Sequence, residues 1–180
     1  MSPDYQIISP RLTMKLIDTD HALQLQACIA LSPSLHRWID WCEPHFSRND
    51  AEQFIIATRL NWVKSQAYGF GVFDRNSDQL LGMVAINEFY HTFNMASVGY
   101  WLADENQGQG YAQEAVTALA EFCFSQLKLT RLEIVCDPEN VASQQVAKRC
   151  GAVFETLARN RFIYNKQPRD GMVFSIIPQP

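Results

Sequence analysis

No Cys-x-x-Cys pair occurs in this chain of 180 residues, and its five cysteines are odd in number and scattered. That argues against a disulfide frame or a zinc site and for reduced thiols in a cytoplasm. A cationic surplus is missing too: 15 Lys and Arg face 19 Asp and Glu, a net charge of −4. A broad nucleic-acid footprint is therefore not expected. No apolar run approaches the roughly 20 residues of a membrane span, and the N-terminus has no basic-then-apolar leader. Repeats and low-complexity segments are absent as well. Without a Gly-Lys-Ser or Gly-Lys-Thr tripeptide, a nucleoside-triphosphate loop is removed. What the chain has in quantity is apolar side chain, 47%, enough for a single domain over 1–180 with a sizeable core.

Glycine is scarce, eight residues in all, so two of them within three positions stand out. Gln107-Gly108-Gln109-Gly110-Tyr111-Ala112 follows a strand-like run, Ser97 to Leu102. After it, Ala112, Ala115, Val116, Leu119, Phe122, Cys123 and Leu127 recur at helical spacing. The first amides of a helix lack internal partners and lie at the positive end of its dipole. Glycine lets an anion approach that backbone, so the segment reads as a pyrophosphate cradle. A dinucleotide fingerprint would need a third glycine where Gln113 stands.

Around this loop the apolar spacing switches between two periods. Arg11 to Ile17 alternates as an opening strand, and Asp18-Thr19-Asp20 supplies the cap of a helix reaching Leu31. Asn49-Asp50-Ala51-Glu52 resembles a capping box that opens a helix through Lys64. Between them, Ser32 to Arg48 is rich in Pro, His and Trp. Tyr68 to Phe73 and Leu80 to Phe89 read as strands joined by the turn-forming Arg75-Asn76-Ser77-Asp78. Arg131 to Cys136 alternates as a half-buried strand, and Asn140 and Gly151 bracket the next helix as N-cap and C′ residue. Val153 to Leu157, Phe162 to Tyr164 and Met172 to Ile177 read as closing strands. The sum is an α/β (α+β) domain, a mixed, mostly antiparallel sheet flanked by helices.

The spacing Gln107-x-x-Gly110-x-Ala112, the strand ending at Cys136, and Asn140-x-x-Ser143 running to Gly151-Ala152 resemble the Gcn5-related N-acetyltransferase superfamily. Trp38-Ile39-Asp40-Trp41, Gly99-Tyr100-Trp101-Leu102 and Gln144-Gln145-Val146-Ala147 are similar to its ribosomal-protein N-terminal acetyltransferases, above all the serine-modifying subgroup. The likeness extends from Pro10 to Phe174. It implies the acyl-CoA N-acyltransferase fold, acetyl-CoA as co-substrate and no metal.

The resemblance also assigns residues. The backbone of Gln107, Gly108, Gln109, Gly110, Tyr111 and Ala112 would take the coenzyme pyrophosphate. Trp101 and Leu102 would pair with the pantetheine arm, and Asn140 would contact it while capping its helix; apart from the resemblance, Lys148 and Arg149 are placed to reach the coenzyme phosphates, with solvated helix charges as the alternative. Ser143 would donate a hydrogen to the departing thiolate, because the tyrosine of most relatives is replaced here by Ala147. A plain helix-start serine bonding its own backbone is the competing account. Cys136, at an alternating position, reads as core rather than as an acyl-accepting thiol. Where relatives often carry glutamates, this chain has Ser97 and Asn160-Arg161, which leaves Glu88, with His91 three residues on, as the candidate base. Trp38 and Trp41 are candidates for the acceptor groove, with core packing as the alternative.

A weak base carries information about the acceptor. An α-amine ionises near ~7.8, so about a tenth is neutral at pH 7; for lysine, near ~10.4, the neutral share is on the order of one in a few thousand. The expected reaction is direct acetylation of the N-terminal α-amine of a ribosomal protein with serine first, without nucleic-acid or membrane contact. A homodimer is left open. The rivals are a polyamine or aminoglycoside N-acetyltransferase, which needs an acidic groove, and a non-catalytic acetyl-CoA-binding regulator, which the missing glutamates motivate.

Overall fold

Eight strands make one sheet in the computed structural model, which describes residues 1–178. They are β1 (Gln6–Ile8), β2 (Leu12–Lys15), β3 (Tyr68–Asp74), β4 (Leu80–Tyr90), β5 (Met95–Leu102), β6 (Arg131–Cys136), β7 (Val153–Tyr164) and β8 (Gln167–Ile176). Their spatial order is β1-β2-β3-β4-β5-β6-β8-β7. Every pairing is antiparallel except that of β5 with β6. The helices are α1 (Ala22–Ala30), α2 (Pro33–Trp38), α3 (Arg48–Val63), α4 (Tyr111–Ser125) and α5 (Val141–Arg149). This is the mixed, mostly antiparallel sheet flanked by helices that the apolar spacing implies. Among the described residues no helix is long and apolar enough to cross a membrane.

Local chemistry explains most boundaries. The Asp18 carboxylate takes the Asp20 amide and starts a 3-10 turn ahead of α1. α3 is capped by Ser47 rather than Asn49: Ser47 Oγ accepts from the Asp50 amide at 3.2 Å and Asp50 accepts from the Ser47 amide at 2.8 Å. Both orphan donors are thereby satisfied within one box. Ala51, Ile55 and Trp62 are the buried stripe of α3, spaced as one helix face.

The sheet carries two apolar clusters. One joins Phe70, Val84, Ile86, Leu132 and Phe174 to Val116 and Leu119 of α4 and Ala147 of α5. The other joins Phe73, Leu80 and Met83 to Leu25 and Ile29 of α1 and Ile55 of α3. Each large side chain removed from water contributes about 1.5–3 kcal/mol, which is what docks the helices.

The closing strands differ from expectation. β7 is one continuous edge strand, with a bulge between Ala158 and Phe162 where Asn160 adopts φ 50°. β7 is tied to β6 across β8: the Arg131 guanidinium meets Glu155 at 2.6 Å, and Ser175 Oγ donates to Glu155 at 2.7 Å. The Arg131 and Ser175 hydrogen bonds hold the Glu155 carboxyl down at about 2, against an ordinary 4.5. Its contribution to stability is therefore whole above pH 4.5 and fades as pH falls toward 2. Glu155→Gln is expected to cost about 0.5–1 kcal/mol at pH 6, since the pair is partly exposed, and almost nothing at pH 2. Urea unfolding midpoints at the two pH values check this.

Candidate active site

β5 and β6 run parallel but pair over only three residues, Met95–Ser97 against Arg131–Glu133. From Val98 to Leu102, β5 has no strand partner on the β6 side, and the gap opens into a cavity of about 930 Å³. Backbone amides and carbonyls along such an edge need partners. The gap therefore suits an extended chain that itself carries amides. Trp101 and Leu102 both lie on its wall.

At one end the wall is the start of α4. Gly108 and Gly110 have φ values of 75° and 82°, a region that costs other residues roughly 1–2 kcal/mol. No side chain caps the first-turn amides of α4. A Cβ on Gly108 would meet nothing within 4 Å, so the loop is open at that residue. Gly108, Gly110, Tyr111 and Ala112 line the cavity there. Arg149 lines it too, and its carbonyl accepts from the Gln113 side chain of α4 at 3.2 Å. An uncapped helix start, two glycines and one cation fit a diphosphate.

The loop is braced from behind. Arg11 Nε meets Glu114 at 2.6 Å, its Nη1 donates to the Gln109 carbonyl at 3.0 Å, and its guanidinium lies 4.5 Å over the Tyr111 ring. Burial pushes the Glu114 carboxyl up, but the Ser9 hydroxyl and the Arg11 amide and guanidinium outweigh it and hold the group below its usual range. The side chain of Gln107 turns inward, donating to the Leu102 carbonyl and the Ser34 hydroxyl, both at 3.0 Å. That of Gln109 donates to the Glu105 carbonyl at 3.1 Å, and Gln109 is not on the cavity wall. Both glutamines thus shape the loop through their side chains.

Asn140 caps α5, its side-chain oxygen accepting from the Ser143 amide at 3.1 Å. Ser143 is thereby set on the cavity wall, with its Oγ 3.1 Å from the Tyr100 hydroxyl and 3.1 Å from Cys136 Sγ. Asn140 lies on the cavity wall too, so cap and cavity position coexist in that residue. Burial pushes the Tyr100 phenol and the Cys136 thiol up, so both are protonated at neutral pH. Cys136 is buried, as its alternating position implies, yet its sulfur touches the serine.

At the other end the wall comes from Trp38 on α2, Glu88 on β4, Ser97 on β5 and Arg161 on β7. Glu88 accepts from the Tyr90 hydroxyl at 2.5 Å. His91 stacks on Phe89, ring centroids 5.9 Å apart, and does not join Glu88 on the wall. Trp41 lies off the cavity, stacked 4.5 Å from Phe54 and edge-on to Trp101 at 6.4 Å. Of the two tryptophans, only Trp38 reaches the wall. Arg161, for which the strand pattern offers no role, is ion-paired to Glu133. Its one sequence signal is the neighbouring Asn160, a residue type that tolerates the left-handed backbone of a bulge.

A family model described as an acetyltransferase (GNAT) domain matches residues 11–153. A Vibrio cholerae protein, its solved structure described as a candidate ribosomal-protein-serine acetyltransferase, is 62% identical, with a TM-score of 0.93 over 99% of this chain and 100% of that one. The ribosomal-protein-serine acetyltransferase of Escherichia coli (strain K12) is 27% identical over 149 residues, 82% of each protein. RimL, a ribosomal-protein alpha-N-acetyltransferase solved in complex with coenzyme A, shares the fold at 23% identity, TM-score 0.85, over 96% of this chain and 98% of that one. On the match over residues 11–153, the chain belongs to the GNAT acetyltransferase family.

Proposed function

We propose that the protein acetylates the N-terminal α-amine of a protein in the cytoplasm, using acetyl-CoA, and that a ribosomal protein beginning with serine is the favoured acceptor. The observation that carries this reading is the continuous gap between β5 and β6. It runs from the uncapped start of α4 to Trp38 and Glu88, with Ser143 in its wall. The V. cholerae and E. coli relatives support the choice of acceptor class.

Acetyl-CoA supplies a thioester carbonyl. The first amides of α4 and the Arg149 guanidinium hold its diphosphate, and the free edge of β5 at Trp101 and Leu102 orients the arm. Glu88, directly or through water, takes the proton that leaves the attacking nitrogen as the N–C bond forms. Ser143 donates a hydrogen bond to sulfur as the C–S bond breaks and its electron pair moves onto sulfur. The thiolate then takes a proton from solvent and Glu88 returns its own to solvent, so that overall one amine proton is lost and one thiol proton is gained.

Charge on the wall favours a peptide over a polyamine. Glu88 and Asp137 are balanced by Arg149 and Arg161, so the acidic groove a polycation needs is not there. Any homodimer has the exposed apolar residues of edge strand β7, Val153, Leu157 and Ile163, as a ready surface. A thiol-release assay over N-terminal Ser, Ala and Met peptides, a lysine peptide and spermidine tests the reading. Ser-initiated peptides are expected to give the highest kcat/KM, at least about 10-fold above the lysine peptide, given the ionisation gap between the amines. Turnover of spermidine alone would overturn the acceptor assignment; tight acetyl-CoA binding with no turnover on any amine would favour the regulator.

A further inference from the structure

Ser143 is gripped twice by a residue 43 positions away in the chain. The Tyr100 hydroxyl donates to the Ser143 carbonyl at 2.7 Å, and Ser143 Oγ lies 3.1 Å from that same phenolic oxygen. With its own proton committed to the carbonyl, the phenolic oxygen is left as an acceptor for the serine proton. Cys136 Sγ, 3.1 Å from Ser143 Oγ, is the third polar group in the cluster. A serine hydroxyl with no such neighbours rotates among three staggered positions. Burial keeps the phenol neutral, so it accepts weakly and does not strip the serine of its proton. α5 itself contains no tyrosine and so offers no aromatic hydroxyl.

We propose that Tyr100 is a positioning residue for acetyl transfer, fixing Ser143 at both its carbonyl and its hydroxyl oxygen, so that Oγ is held in place and its proton turns from the phenol to the leaving sulfur as the C–S bond breaks. The inference rests on the reading of Ser143 as the donor to that sulfur. Tyr100 acts only through Ser143 and does not itself supply a proton to the substrate.

The test is a double-mutant cycle of Tyr100→Phe and Ser143→Ala in steady-state kinetics with saturating acceptor peptide. Tyr100→Phe is expected to lower kcat about 3–10-fold, the scale of one hydrogen bond, while KM for acetyl-CoA stays within about twofold. In the Ser143→Ala background the same substitution is expected to change kcat less than about twofold. Removing one oxygen from an otherwise intact ring should move the melting temperature by less than about 5 °C. An equal loss of kcat in both backgrounds would mean that Tyr100 works apart from Ser143, and overturns the proposal; so does an unchanged kcat in Tyr100→Phe. Full kcat in Ser143→Ala alone is a separate failure, of the serine reading itself, and removes this inference with it.

Discussion

Ala112→Asp is expected to raise the Kd for CoA at least about 100-fold while leaving the fold as stable as before or slightly more so. Ala112 is the second residue of α4, lies on the cavity wall, and no side chain caps the amides around it. A carboxylate in a first helical turn is favourable by about 0.3–1 kcal/mol, because it meets the positive end of the dipole. The same carboxylate roughly 5 Å from a diphosphate costs about 3 kcal/mol per unit charge at an effective dielectric near 20. A loss of about 2.7 kcal/mol is already 100-fold in affinity. The two effects have opposite signs, so a generally damaged protein cannot imitate the outcome. Calorimetry for binding and a thermal melt for stability read them separately; unchanged affinity would remove the start of α4 from the coenzyme site.

Ser143→Ala is expected to lower kcat about 100-fold with KM for acetyl-CoA within about threefold. A preorganised hydrogen-bond donor aimed at charge that develops in the transition state contributes about 10²–10³-fold. The lower end applies here because a thiol, with an ordinary pKa near ~8.5, is already a fair leaving group. Cys136 stays beside the truncated position, but a thiol is a weak donor and does not replace the hydroxyl. The cap of α5 is kept, since Asn140 bonds the backbone amide of residue 143 and not its side chain. A KM effect without a kcat effect would make Ser143 a binding residue only.

The half of the fold that carries the proposed coenzyme end was legible because its signals are local. Asn140, Gly151, the alternation from Arg131 to Cys136 and the paired glycines each specify a cap, a strand or a left-handed turn within a few residues, and β6, α5 and the loop lie where those signals put them. β1 has three residues and α2 six, both too short to show a period, and α2 lies in the stretch rich in Pro, His and Trp. The bulge at Asn160 breaks the alternation of β7, so one strand reads as two. The box at Ser47 was displaced by two positions because Asn49 is an equally good capping type and only the folded backbone chooses between them. Contacts between distant segments left no periodic trace: the Tyr100 phenol on Ser143, Arg161 on Glu133, and the Gln107 side chain on the Ser34 hydroxyl. The candidate site was thus readable as a list of positions, whereas its hydrogen bonding required the fold.

CoA and pantetheine share the arm and the thiol and differ in the nucleotide and its diphosphate. Calorimetric titration of both into the wild-type protein and into Ala112→Asp therefore isolates the grip of the α4 amides. The expected result is wild-type affinity at least about 100-fold higher for CoA than for pantetheine, with most of that margin lost in Ala112→Asp. Equal affinity for the two ligands in the wild type, or a margin that Ala112→Asp leaves untouched, would contradict the account.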